Sequence, residues 1–573
     1  MSFEATQRAA HHPAPGEPAP RPPAEVMHPR WLAALPANPL SATRTLMDRM
    51  NRERWEISLV RADLTPEGDG TLVYRIDAGG HVLSVAAFSA EPRMVNRTPR
   101  IIGSSWDVLG ALMEGEPDDE RVEQTRREMP KLYAGRAADR TLIWFRANRS
   151  LRAFDEVRDS LAAGRQPDEE RLLEAGYLLR NTGLDGNGTF GTVDFSAYGP
   201  DHPLALPYHA QMLAAYMMRE ISFDLVESLA RLRDAGAARL APGLKRRVAV
   251  GNGSALGLVL FFMNRPRLVS RWIGLYEEAT ARAMSLAWPA DAPELDLFDD
   301  LLGRLITSKE EDLTPYRLFP RGPMVAGELR QMRRELRARR ARAHADGTGL
   351  TLGAVAAARP SGTGPEAVEL FRSTALELDR EAWEPRLGEL VVDESMRPDP
   401  TWSVARLRDA IHATVPWTTD YPRNRGDLRN RVWYKSRASE EPRSGHAREI
   451  PADTYDLATN PVDEVGALAA LLDGAPADRP VGELLLAHPS ALRATALVQN
   501  LADSPYALAR VDYRDDELIP VYLIHVLNAF CFGLEKTLDA QRRLLRGLIF
   551  EYAPPREALG DPDARHWWAG GRR

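Results

Sequence analysis

The sequence predicts an α+β fold in which helices predominate, with a small antiparallel sheet in an N-terminal domain followed by a large helical body. From Arg54 to Ser89 the apolar residues repeat with a period of two, and turn sequences separate three such runs, which predicts a three-stranded antiparallel meander. From Ser150 onward the spacing is mostly helical. Because 573 residues exceed the roughly 250 to 300 that one core usually serves, we expect two or more domains.

Composition limits the classes of partner and compartment. Hydrophobic residues make up 44% of the chain and charged residues 27%, as in an ordinary globular protein. The formal net charge of −7 gives no electrostatic reason for a nucleic-acid partner. No run reaches the roughly 18 apolar residues that a membrane span needs, so we expect no membrane partner. The single cysteine, Cys531, lies in an apolar run, and Met1 to Pro23 lack an export signal, so we expect a cytoplasmic protein.

The N-terminal part divides into a tail and a sheet domain. Residues 1–27 are rich in proline and predict a disordered tail. Residues 28–150 predict the α+β domain, in which the apolar runs 99–105 and 140–146 could extend the meander. Helices at about 106–113 and 118–132 would cover one face of this sheet.

The rest of the chain is predicted to be helical. Residues 151–290 form a helical core domain around a helix at 207–232, which is apolar on most sides and therefore central. Residues 291–365 are interpreted as a helical segment and linker, and residues 366–573 as a mainly helical C-terminal region. Its predicted helices include 462–473, 480–501 and 518–548.

Two loops rich in glycine and asparagine, 180–191 and 250–257, lie on either side of the central helix. Glycine lets a backbone approach a ligand closely, and a helix that begins near Ser254 would present free N–H groups to an anion. The candidate substrate-binding residues are Asn181, Asn187, Thr189, Gly251, Asn252, Gly253, Ser254 and, from a basic cluster further along, Arg431.

Each loop has simpler interpretations. Loop 250–257 resembles a dinucleotide fingerprint only superficially, because a helical pattern follows it instead of a βαβ unit; a plain serine-capped helix start is the alternative. Loop 180–191 has Phe190 and Ser196 where a calcium loop beginning at Asp185 needs glycine and an acid. It could be only a tight connection.

The candidate catalytic residues are His209, Asp185 and Lys435. His209 would lie in the first turn of the central helix and could act as a general base, or it could simply pack or cap the helix there. Lys435 follows the apolar run 432–434 and could be desolvated enough for base or Schiff-base chemistry, or it could belong to an ion-paired surface. His202 and His209 would not share a helix face, so we expect no metal pair, and no cofactor signature is present.

Two segments rich in arginine, 328–342 and 423–448, stand out in an acidic protein. Arginine clusters bind carboxylate or phosphate, or pair with acids of another domain or subunit. The functional hypothesis is an enzyme of lyase, isomerase or hydrolase type that acts on a small anionic metabolite without a redox cofactor, with its site at the two loops. The alternative is a non-catalytic homo-oligomeric scaffold or adaptor, and a homo-oligomer is expected in either case.

Overall fold

The structure is a computed structural model. It describes residues 20–90, 106–128, 141–186, 198–252, 265–311, 322–390, 397–419, 431–436, 442–446, 455–458, 461–511, 526–539 and 544–570.

A nine-stranded mixed sheet dominates the fold. The strand order is β1-β2-β3-β4-β5-β6-β7-β14-β13, and the sheet curls into a half-barrel. Its strands are β1 (Glu56–Leu64), β2 (Gly70–Ala78), β3 (His81–Ser89), β4 (Val108–Glu114), β5 (Thr141–Arg149), β6 (Tyr177–Gly186), β7 (Ala249–Asn252), β13 (Glu535–Asp539) and β14 (Leu544–Ile549). Neighbouring strands are antiparallel except β6 and β7, which are parallel.

The predicted fold class is therefore wrong, because the sheet is neither small nor purely antiparallel. The predicted meander is present as β1, β2 and β3. However, the segment predicted as a helix at 106–113 is mostly strand β4, and both predicted glycine loops begin as strands, β6 and β7. The predicted C-terminal helix 518–548 contains the hairpin of β13 and β14, which adds to β7 from the far end of the chain.

Glycines misled the sequence interpretation because two of them are packing positions inside the sheet. A Cβ atom on Gly110 would lie 2.1 Å from the Phe145 ring, and one on Gly251 would lie 2.7 Å from the Tyr177 ring. A strand glycine beneath an aromatic ring has the same sequence appearance as a loop glycine. Only the partner strand distinguishes the two.

The helix His209–Arg233 is buried along nearly its whole length and packs against β4, β5, β6 and β7. The predicted central helix is therefore present, but the curled sheet forms much of its surroundings. Its fully buried Arg219 donates hydrogen bonds to the carbonyls of Val248 and Ala553, both at 2.8 Å. Asp224 accepts one from the Tyr74 hydroxyl at 2.7 Å. These partners compensate the burial of charged groups within the core.

The other α-helices surround this centre or form the body beyond it. They are Pro23–Val26, Pro29–Ala34, Ala42–Arg52, Asp119–Glu128, Phe154–Ala162, Glu169–Ala175, Pro242–Arg247, Pro266–Ser285, Pro293–Glu311, Gly322–Asp346, Leu352–Ala357, Pro365–Ala375, Arg380–Trp383, Val404–Thr414, Pro461–Asp473, Val481–Ala487 and Leu492–Ala502. Two small sheets complete the described part: β8 (Ala287–Pro289) with β9 (Gly349–Thr351), and β10 (Arg431–Ser436) between β11 (Pro442–His446) and β12 (Tyr455–Ala458).

The arginine-rich helix Gly322–Asp346 pairs with the helix Pro293–Glu311. Asp299 accepts two hydrogen bonds from Arg333, at 2.9 and 2.8 Å, and two from Arg337, at 2.9 and 2.7 Å. Burial alone would raise the pKa of Asp299, but these bonds outweigh it and hold the pKa well below its ordinary value. Two arginines of this helix, Arg333 and Arg337, are thus paired with an acid of the same chain.

Arg21, in the segment predicted to be a tail, joins two helices of the body. It bonds Glu277 on the helix Pro266–Ser285 at 2.6 and 2.9 Å, and Glu369 on the helix Pro365–Ala375 at 2.6 Å. Both carboxylates are fully buried. The domain boundaries drawn from the sequence remain predictions.

Candidate functional site

One edge of the half-barrel, here called the rim, gathers several polar side chains. At the rim β3 begins with His81 and β4 ends with Glu114, and Leu83 lies directly opposite Glu114. Strand β6 also ends at this edge, with Gly186 opposite Ile143, because β5 runs antiparallel to both β4 and β6. Strand β7 runs in the same direction but ends further back, at Asn252, which lies opposite Asn181. One strand separates β4 from β6, so the two lie roughly 10 Å apart in a sheet.

A His–Glu–His cluster lies at the rim. The Nε2 atom of His81 is 2.8 Å from one carboxylate oxygen of Glu114, and the Nε2 atom of His202 is 2.7 Å from the other. His202 comes from the segment that connects β6 to the helix His209–Arg233. The two imidazole rings meet edge to face with centroids 4.6 Å apart. The side chains of His81, Glu114 and His202 are 40%, 29% and 12% exposed, so solvent reaches the cluster.

Neighbouring groups hold the His202 ring in place. The Leu204 N–H donates to its Nδ1 atom at 3.0 Å, which leaves the proton of the neutral ring on Nε2, facing Glu114. Tyr198 stacks on the ring with centroids 4.7 Å apart. Arg49 donates to the backbone carbonyl of His202 at 3.3 Å and so ties the connecting segment to the helix Ala42–Arg52. The ring is therefore oriented by contacts on several sides.

The cluster changes the pKa of Glu114 and of the neighbouring Tyr198. Burial alone would raise the pKa of Glu114, but hydrogen bonds from His202 and His81 outweigh it, so the pKa is lowered and the group is a carboxylate at neutral pH. Burial, together with the nearby charge of Glu114, raises the pKa of Tyr198 to about 12. Within the described residues, His81, Glu114 and His202 are the one group of His, Cys, Asp or Glu side chains that could hold a metal ion.

The two predicted glycine loops come together where they begin. In the parallel pair of β6 and β7, Asn181 lies opposite Asn252 and Arg180 opposite Gly251. The Asn181 side chain is buried, and its oxygen accepts the Gly183 N–H at 3.0 Å. Four predicted binding residues, Asn187, Thr189, Gly253 and Ser254, lie outside the described residues.

The predicted general base, His209, is fully buried at the start of its helix. Its Nε2 atom lies 2.9 Å from the Thr45 hydroxyl oxygen. Burial, and then the charge of Arg49, lower its pKa to about 3, against a weaker opposing effect of the Pro203 carbonyl. A ring with no contact to solvent is poorly placed to exchange protons with a substrate, so this environment disfavours the predicted role.

The other predicted catalytic residues lie on different sheets. Asp185 is in β6, opposite Trp144 of β5 and near the rim. Lys435 and Arg431 are in β10, the central strand of the separate three-stranded sheet. Strand register brings Asn181, Gly251 and Asn252 together, whereas Lys435 and Arg431 belong to another sheet.

His81 and Glu114 are not among the site residues predicted from the sequence. His81 follows the Gly79-Gly80 turn at the start of one strand, and Glu114 precedes Gly115 at the end of another. Had the 106–113 segment been interpreted as a strand next to β3, antiparallel pairing would have placed these side chains at one edge. Because it was assigned to a helix, Glu114 lay beyond the predicted sheet.

Comparisons with known proteins give no family. No protein-family model matches the chain, and neither a curated protein nor a solved structure matches it. In the described part of the chain, every helix is too short or too polar to cross a membrane.

Proposed function

We propose that this protein is an enzyme that acts on a small anionic metabolite without a redox cofactor, and that its substrate binds at the paired strands β6 and β7, beside Asn181, Gly251 and Asn252. Lyase, isomerase and hydrolase chemistry all suit such a site. The proposal includes a cytoplasmic location and a homo-oligomeric state.

The observation that carries the proposal is the parallel pairing of β6 with β7. Asn181 and Asn252 are direct partners in this pair, so the two glycine- and asparagine-rich sequences lie side by side where they pair. In α/β sheets, ligands bind outside the carboxyl ends of parallel strands, where connections diverge. Here the segment that connects β6 to β7 contains the long buried helix His209–Arg233. On the side away from β6, β7 pairs with the antiparallel strand β14.

Charge at the pair suits an anionic ligand. Arg180 is partly exposed and lies opposite Gly251, which the Tyr177 ring covers. Arg146, in the neighbouring β5, lies opposite Gly183 and donates to the Thr182 carbonyl at 3.1 Å. Guanidinium groups commonly bind carboxylate and phosphate. Asp185, nearer the end of β6, remains the proposed proton-transfer group.

The test is anion binding by the full chain. Thermal-shift and calorimetric titrations with inorganic phosphate, pyrophosphate and citrate should find at least one that stabilises the protein. Asn252→Ala should weaken that binding about tenfold, which corresponds to about 1.4 kcal/mol, while its melting temperature without ligand stays close to that of the wild type. Gln124→Ala, at an exposed amide on the helix Asp119–Glu128, is the matched control and should bind as the wild type does.

A different outcome would favour the scaffold hypothesis. If none of the three anions binds and native mass spectrometry shows a bare oligomer, the enzyme proposal loses its support. Equal binding by Asn252→Ala and the wild type would place any anion site away from β7.

A further inference from the structure

We infer that His81, Glu114 and His202 bind a divalent transition-metal ion through the two imidazole Nε2 atoms and the carboxylate. Two imidazoles and one carboxylate form a donor set typical of catalytic zinc sites and of non-haem iron sites. This inference does not rest on the proposed function, since it concerns other residues and predicts binding of the metal alone.

The geometry already resembles a closed-up metal site. The three ligand atoms lie within 4.8 Å of one another, and each nitrogen contacts a different oxygen of the same carboxylate at 2.8 or 2.7 Å. Metal–ligand bonds of about 2.0 to 2.2 Å put tetrahedral ligand atoms roughly 3.3 Å apart. To admit an ion, the rings withdraw from the carboxylate by about half an ångström, and ligand atoms that lie up to 4.8 Å apart approach to about 3.3 Å.

The fold positions the ligands independently of any metal. His81 and Glu114 lie at the ends of adjacent antiparallel strands, and the Leu83–Glu114 register fixes their separation. His202 is held by Tyr198 stacking and by the Arg49 bonds to its segment. Such constraint reduces the ordering entropy that binding would otherwise have to overcome.

Access and coordination number also suit an exchangeable ion. The partial exposure of His81 and Glu114 gives a path from solvent. Three protein ligands leave at least one position for water or an anionic oxygen, as in catalytic rather than structural zinc sites.

Binding requires a rearrangement of protons in both rings. His81 and His202 now donate from Nε2 to the Glu114 carboxylate, so coordination through Nε2 moves each of these protons to Nδ1 or releases it to solvent. His202 also gives up the bond that its Nδ1 accepts from the Leu204 N–H. Coordination of the same three side chains to the ion replaces these hydrogen bonds. A metal-free hydrogen-bonded cluster is the competing interpretation.

The experiment is a titration of the full chain with Co²⁺, followed by its visible absorption and by calorimetry, with Zn²⁺ as competitor. All proteins carry His11→Ala and His12→Ala, because adjacent histidines bind such ions without a folded site. We expect one Co²⁺ per chain, displaced by Zn²⁺. His81→Ala and Glu114→Gln should each weaken binding at least tenfold, whereas His488→Ala, at an exposed histidine of the helical body, should not.

Two results would overturn the inference. One is that the protein carrying only His11→Ala and His12→Ala binds neither Co²⁺ nor Zn²⁺ at millimolar concentration. The other is binding that Glu114→Gln and His81→Ala leave unchanged. His81 is 40% exposed, so its replacement should preserve the fold, and circular dichroism of each variant separates lost binding from lost structure.

Discussion

Replacing His209 with glutamine should make the protein more resistant to acid. His209 is fully buried, and burial with the charge of Arg49 lowers its pKa from 6.5 to about 3. In the unfolded chain the ring takes up a proton as the pH falls below about 6.5, but in the folded protein it stays neutral until the pH reaches about 3. The unfolded state binds more protons across this window, so acidification favours unfolding.

The magnitude follows from the shift. One pKa unit corresponds to about 1.36 kcal/mol, so acidification from pH 6.5 to pH 4 costs the folded state roughly 3 kcal/mol through this one ring. Glutamine reaches the position of Nε2 and keeps a hydrogen bond to Thr45. It has no proton to gain. His209→Gln should therefore lose stability at pH 7 through imperfect packing and recover relative to the wild type at pH 4.

The assay compares the unfolding free energies of variant and wild type at pH 7 and pH 4, by denaturant unfolding followed by circular dichroism. The assay uses the difference in unfolding free energy between variant and wild type, because other groups change the stability with pH in the opposite direction to His209. Burial raises the pKa of Glu220 to about 7 and that of Asp48 to about 6, so both stabilise the folded state as the pH falls below these values. His412→Gln, at an exposed histidine, is the control. A variant-to-wild-type difference that is equal at both pH values would refute the reasoning.

Three further substitutions test the packing. Arg21→Ala leaves two fully buried carboxylates short of a partner and should cost roughly 3 to 5 kcal/mol, whereas Arg30→Ala, at an exposed site, should cost almost nothing; thermal unfolding distinguishes them. Gly110→Ala places a Cβ atom 2.1 Å from the Phe145 ring and should lower the melting temperature clearly. Gly327→Ala, in a helix with open space at that position, should stabilise by about 0.5 to 1 kcal/mol; a loss of stability would contradict the helix assignment.

The sequence predicted what depends on local periodicity. The three strands between Arg54 and Ser89 and the buried helix from His209 are present, because alternation and a long apolar run need no knowledge of distant partners. Prediction from the sequence failed where pairing with distant strands determines the secondary structure. Gly251 and its neighbours form a strand because β6 and β14 supply hydrogen bonds on both sides, and β14 lies almost 300 residues further along the chain.

The candidate site shows the same limit. Asn181 and Asn252 were selected for their residue types, and only the register shows that they are neighbours. His81 and Glu114 carried no spacing signature, because their proximity arises from two strands whose ends meet at one edge. His209 was selected for its position at a helix start, which the structure has, but its burial depends on packing that one sequence does not reveal.

The pairing of β7 with β14 has a consequence for how the chain matures during synthesis. While the ribosome is still making the body, β7 lacks its outer neighbour and remains an open sheet edge, because Leu544–Ile549 are made almost 300 residues after β7. Arg219 also lacks one of its hydrogen-bond acceptors at that stage, since this acceptor is the carbonyl of Ala553. The half-barrel therefore cannot be completed domain by domain from the N-terminus. A nascent or C-terminally truncated chain presents both an unpaired strand and an incompletely solvated cation, which makes such a chain a natural client of chaperones and proteases.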